Sequence, residues 1–158
     1  MGQPGERAHR EVIQPMVTSL PTRLAEITQD FQFCEGREKI ELLIQYSESL
    51  PPLPEELIGQ KASMEAVPEC MTPVFLQAEV HDGHMIFHFD VPPESPTVRG
   101  FAAILKEGLD GSTADAILKV PGDFYQQMGL HEVLTHQRLN GLSAILARMK
   151  ALAVRSLA

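Results

Sequence analysis

Two alternating runs meet at an Asp-Gly pair, and that constrains this chain more than any other feature. Val74, Leu76, Ala78 and Val80 alternate with Phe75, Gln77, Glu79 and His81. Asp82-Gly83 follows, and His84–Asp90 then places Met85, Phe87 and Phe89 on one face. A period of two sends successive side chains to opposite faces of a strand. An Asp-Gly pair between two such runs is a strong hairpin signal. The chain must therefore build an antiparallel hairpin, and its apolar face needs a cover.

The flanking segments supply that cover. Leu24, Ile27 and Phe31 recur at helical spacing over 22–32, and Ile40, Leu43, Tyr46 and Leu50 mark a second stripe over 36–49. Pro51, Pro52 and Pro54 end the second helix and open a connector over 51–60. A shorter strand is expected over 64–67. Beyond the hairpin, Pro92, Pro93 and Pro96 lead into a helix over 96–109. Ser112 or Thr113 can cap the next helix, whose first turn holds Asp115. A short helical turn over 122–127 precedes a long helix over 138–157, with Leu142, Ile145, Leu146, Met149 and Leu152 as its stripe. Two helices, a short sheet and several more helices make an α+β fold, a small antiparallel β-sheet packed on one face by helices. Residues 1–20 are polar and carry Pro and Gly, so they are expected to form a flexible tail, leaving 21–158 as the single domain.

Charge and composition exclude several function classes. The 158 residues carry a net charge of −8, which gives no electrostatic reason to seek nucleic acid or an anionic membrane. Arg138, Arg148, Lys150 and Arg155 fall along the last helix and read as a solvated face. No apolar run reaches the roughly 18 residues of a membrane span. The first twenty residues lack a secretory apolar region, and Glu6 stands where an N-myristoylation signal needs Ser or Thr. Two cysteines without CxxC spacing fit a reducing, cytoplasmic setting with free thiols. No GxGxxG, P-loop, GxSxG or HExxH pattern occurs, and no cofactor is expected.

Cys70 is the first candidate for chemistry. It lies in Val67-Pro68-Glu69-Cys70-Met71-Thr72-Pro73-Val74, between two prolines and just before a strand. Such a loop is stiff and presents its thiol at a sheet edge. Glu69 beside it disfavours the thiolate, which suits a thiol activated only when a partner docks. Met71, Phe75 and residues of the last helix are expected to shelter it with apolar surface. Cys34, beside Phe31 and Phe33 at a helix end, reads as core filling. His84 and His88 lie about 13 Å apart along one strand, too far to share a metal, and His81 facing His84 makes only half a site. No metal site is therefore expected. Arg138 is the second candidate, a cation in the first turns of a helix that Thr135 can cap, at the end where the dipole favours anions. Gly141 costs that helix about 1 kcal/mol relative to Ala, and could permit close packing against the Cys70 loop.

With those segments in place, the chain resembles the SufE family of sulfur acceptors. Arg37-Glu38-Lys39-Ile40 with Leu50-Pro51-Pro52-Leu53 resembles the family's opening helix and Leu-Pro connector. The segment from Val67 to Val74 resembles its cysteine loop, and Val98-Arg99-Gly100 its Val-Lys-Gly helix. Leu134-Thr135 through Arg138, then Asn140-Gly141-Leu142, resembles its Leu-Thr-Pro-x-Arg-x-x-Gly-Leu signature. Four positions depart: Glu69 replaces a Gly, Thr72 a Ser, Phe75 a Trp and His136 a Pro.

The resemblance implies a SufE/IscU-like fold, a persulfide-accepting Cys70 and Arg138 in support. It also implies a pyridoxal-phosphate-dependent cysteine desulfurase as partner, whose activity the chain stimulates, and a downstream iron–sulfur cluster scaffold complex as recipient. On this reading the protein is a carrier with no turnover of its own. Two other readings stand beside it: a stand-alone thiol redox enzyme using Cys70, which needs a base or Cys34 close by, and a cluster or metal scaffold, which needs about three converging ligands.

Overall fold

The structure is a computed structural model and describes residues 20–158; the expected tail, up to residue 19, lies outside the described residues. Helix α1 spans Thr22–Gln32 and α2 spans Arg37–Glu48. Two 3-10 turns, Glu55–Leu57 and Lys61–Ser63, break the connector. Strand β1 is Glu65–Ala66, β2 is Phe75–His81 and β3 is His84–Asp90. Helix α3 follows over Pro96–Leu109, then β4 at Ser112–Thr113 and α4 at Ala114–Leu118. Two more 3-10 turns, Phe124–Gln126 and Leu130–Glu132, lead to α5 at His136–Ser156. Among the described residues no helix is long and apolar enough to cross a membrane.

The hairpin forms where the alternation places it. His81 pairs with His84, and Asp82 and Gly83 take φ of 51° and 79°. Positive φ at both positions matches the right-handed twist of the flanking strands, which explains the choice of residues. The sheet is antiparallel throughout, in the order β1-β2-β3-β4. Leu76, Met85, Phe87 and Phe89 are buried on its inner face, against α3 and α5.

Strand β4 was not legible, because two residues show no alternation. Tertiary contacts complete the sheet edge. Gly111 donates its N–H to Met85 O at 2.8 Å. Further along β3, Asp110 Oδ1 accepts from Phe87 N at 2.9 Å and Lys106 Nζ donates to Phe87 O at 2.5 Å. Side chains thus satisfy backbone groups that a longer β4 would have paired.

Helix α3 packs on α1, α2 and α5. Its approach to α2 is close: a Cβ on Gly100 would lie 2.0 Å from the Leu43 carbonyl oxygen. A Cβ on Gly108 would lie 2.8 Å from Leu24 Cδ1 of α1. Arg99 consolidates the contact by donating to Val91 O, Ser47 O and Leu50 O at 2.7, 3.1 and 3.3 Å. Two of those carbonyls lie at the end of α2, where intrahelical donors run out.

Three expectations need correction. The stripe of α2 is rotated: Lys39, Leu43 and Ser47 are buried, while Ile40 and Tyr46 are only partly covered. The Lys39 ammonium donates to Phe31 O and Cys34 O, each at 2.7 Å, and closes the end of α1. Cys34 is half-buried rather than core filling, because α1 stops at Gln32 and leaves Phe33 86% exposed. The basic residues of α5 are not all solvated. Lys150 donates to Val120 O, and burial lowers its pKa. Arg148 reaches Glu65 at 3.5 Å and Glu69 at 3.6 Å, and Arg155 reaches Glu65 at 2.6 Å.

The glycine contacts make a direct test. Gly100→Ala forces backbone apart and is expected to lower stability by about 3 kcal/mol or more, roughly 6–12 °C in Tm. Gly122→Ala, with nothing within 4 Å of the added methyl, is expected to stay within about 0.5 kcal/mol. Thermal melts of both variants check the pair.

Candidate functional site

The loop between β1 and β2 is pinned at both ends. Val67 N–H donates to Val74 O at 3.0 Å, and both side chains are buried. Between them Pro68 and Pro73 stiffen the chain, and Cys70 N–H returns to Val67 O at 3.2 Å. The loop tip is thus a fixed turn, and it carries the thiol to the first turns of α5.

There Cys70 Sγ lies half-buried and donates to Gly141 O at 3.4 Å. A Cβ at Gly141 would sit 3.2 Å from that sulfur, so glycine lets the helix backbone meet the thiol directly. The mid-helix glycine is explained by this contact.

A cavity of about 340 Å³ opens beside the sulfur. Cys70, Thr72, Ser95, Thr97, Arg138 and Gly141 are among its walls. The structure therefore brings together the two candidates, Cys70 and Arg138, from segments almost seventy residues apart. Arg138 N–H is capped by Thr135 Oγ1 at 3.3 Å, and Arg138 Nη1 donates to Thr97 Oγ1 at 3.0 Å. The Thr72 and Ser95 hydroxyls meet at 2.5 Å, joining the cysteine loop to the start of α3. With Ser95 engaged there, its side chain does not cap α3.

The thiol is held neutral at rest. Burial, and then the Glu69 carboxylate, push the Cys70 pKa up to about 11. Among the described residues no histidine lines the cavity to take the proton. Around the sulfur, however, the walls carry donors, the Arg138 guanidinium, the hydroxyls of Thr72, Ser95 and Thr97 and the start of α3, alongside one carboxylate, Glu94. Such a site suits negative charge that extends beyond Sγ.

The expected apolar shelter forms only in part. Met71 touches the cavity but is 81% exposed, and Phe75 instead lies beneath Lys61, whose Nζ is 5.4 Å from the ring centroid. Pro96, Val98, backbone of α5 and hydroxyl side chains make up more of the wall. Sequence reasoning missed Ser95 and Thr97, whose only signal was a helix start at Ser95-Pro96-Thr97. The other candidates remain apart. Both cysteines are free thiols, and His88 bonds to Glu79 rather than to another histidine. Among the described residues no group of three His, Cys, Asp or Glu side chains is placed to hold a metal ion.

Comparison with known proteins gives a consistent result. The family model SufE, described as an Fe-S metabolism associated domain, matches residues 25–153. An uncharacterized SufE-like protein of Mycobacterium tuberculosis is 46% identical over 133 residues, covering 84% of this chain and 92% of that protein. The sulfur acceptor protein CsdE of Escherichia coli is 31% identical over 112 residues, covering 70% and 74%. The solution structure of a hypothetical protein from Thermus thermophilus superposes with a TM-score of 0.77 at 37% identity, over 87% of this chain and 98% of that one.

A thiol held neutral has a measurable signature. Alkylation of Cys70 in a Cys34→Ser background is expected to be slow near neutral pH, to rise about tenfold per pH unit, and to level only near about 11. Glu69→Gln removes the neighbouring carboxylate and moves the midpoint downward. A midpoint at or below the ordinary thiol value would contradict the burial argument.

Proposed function

The chain belongs to the SufE family, and from that membership we propose that Cys70 accepts sulfur as a persulfide from a pyridoxal-phosphate-dependent cysteine desulfurase. The observation that carries the reading is the half-buried Cys70 sulfur, set against Gly141 at the edge of a cavity that Arg138 also lines. The name of the Escherichia coli relative, a sulfur acceptor protein, points the same way.

The transfer is a thiol–persulfide exchange. The Cys70 thiolate attacks the terminal sulfur of the partner's persulfide. A new S–S bond forms at Cys70, the partner's S–S bond breaks, and the partner's cysteine leaves as a thiolate. Clearing the partner's cysteine frees it for another cycle, which is how an acceptor stimulates a desulfurase. Deprotonation of Cys70 belongs to the docked complex, because the free protein keeps the thiol neutral. The same exchange, run toward a scaffold's thiols, passes the sulfur on for iron–sulfur cluster assembly. Residues 21–158 form the carrier unit, Cys70 is the acceptor and Arg138 supports the charge. The raised thiol pKa, and the lack of a lining histidine among the described residues, disfavour a stand-alone thiol enzyme.

Mass spectrometry tests this after incubation with a cysteine desulfurase, pyridoxal phosphate and free cysteine. A gain of one sulfur atom is expected in the wild type and in Cys34→Ser, and none in Cys70→Ser. Sulfur on Cys34 alone, or none with any desulfurase, would overturn the assignment.

A further inference from the structure

Arg138 differs from Arg23, Arg99, Arg148 and Arg155 in what it touches. Arg23, Arg148 and Arg155 reach carboxylates, and each of the three nitrogens of the Arg99 guanidinium donates to a carbonyl oxygen. Arg138 donates to a neutral hydroxyl, and among the described residues it forms no ion pair. No carboxylate is therefore bound to its guanidinium, although Glu94 also lines the cavity.

The hydroxyl is equally specific. Thr97 sits in the first turn of α3 with only 7% of its surface exposed. A buried hydroxyl needs a partner, and its oxygen accepts from Arg138 Nη1. An exposed arginine otherwise samples many rotamers at the cost of side-chain entropy on ordering. One bond to a fixed, buried oxygen selects the rotamers that keep the guanidinium at the cavity wall. The other guanidinium nitrogens stay available there.

Sulfur added to Cys70 has few places to go. Sγ already rests on the Gly141 carbonyl, and a Cβ at Gly141 would come within a tight 3.2 Å of it. The cavity is the open space beside Sγ, so the terminal sulfur projects into it, toward the wall that holds Arg138. A persulfide S–H is a stronger acid than a thiol, so that sulfur is the atom that carries negative charge.

We propose that Thr97 is a positioning residue for sulfur transfer: it holds the Arg138 guanidinium at the Cys70 cavity, where the cation binds the anionic terminal sulfur of the persulfide. The proposal rests on the carrier reading for its biological meaning. It explains how one site keeps a resting thiol neutral and a loaded persulfide ionised, since only the added atom reaches the cation.

The test loads Cys70 chemically with inorganic polysulfide in the Cys34→Ser background, so no desulfurase is involved. The rate at which iodoacetamide alkylates the terminal sulfur is then followed against pH by mass spectrometry. Thr97→Val and Arg138→Met are expected to raise the midpoint by similar amounts, slowing alkylation below it about tenfold for a shift of one unit. Thr97→Ser keeps the oxygen and retains the wild-type midpoint, and the double variant shifts no further than either single one. Thermal melts report any packing defect separately, which alone would leave the midpoint in place. An unmoved midpoint in Thr97→Val, or an equal shift in Thr97→Ser, overturns the positioning role. An unmoved midpoint in Arg138→Met overturns the anion site itself. Failure of desulfurase loading with a normal result here would instead count against the carrier reading.

Discussion

The close approach of α3 to its neighbours is the constraint on which the rest of the structure depends. Gly100 lets the α2 backbone come within reach of α3, and Gly108 does the same for α1. Arg99 and Lys106 then satisfy carbonyls at the end of α2 and on β3 that no strand or helix partner supplies. A side chain at Gly100 would lift α2 off the helix and leave those groups without partners. Because α3 also lies on the apolar face of the hairpin, its position sets where the sheet and the cysteine loop sit relative to α5.

The site exists at the junction of three such placements. Strands β1 and β2 hold the loop tip, α3 presents Ser95 and Thr97, and α5 presents Gly141 and Arg138. None of these segments makes the cavity alone. Together they produce an asymmetry of charge across a few ångströms. Sγ lies among a carbonyl oxygen, buried surface and the Glu69 carboxylate, all of which favour the neutral form. The neighbouring cavity offers donors and a cation, which favour an anion. On the proposed carrier reading that contrast keeps the resting thiol neutral and places the charge of a loaded persulfide on its terminal sulfur.

Glu69 shows how local sequence and tertiary setting interact. It stands where the family resemblance places a glycine, and beside the thiol it opposes ionisation. In the structure it also reaches Arg148 of α5, so the residue that disfavours the thiolate also ties the loop to the helix. The pair is partly exposed and loose, and surface pairs of this kind contribute about 1 kcal/mol or less. It tunes the loop without locking it.

Short-range pattern determined most of the elements. Alternation and the Asp82-Gly83 turn specified the hairpin, since period two and positive φ leave few other conformations. Apolar spacing located α1, α3 and α5 to within a residue or two. Proline flanks and the order of motifs singled out Cys70 and Arg138. Tertiary structure decided what spacing cannot encode. Two-residue strands carry no periodicity, so β4 appeared only once β3 offered an edge. Lys39 reads as polar surface until the uncapped carbonyls of α1 are brought to it. The partnership of Thr97 with Arg138 joins residues forty-one positions apart, and the cavity between them exists only because three elements converge. Local chemistry sets each residue's preferences, and long-range packing alone sets which of those residues meet.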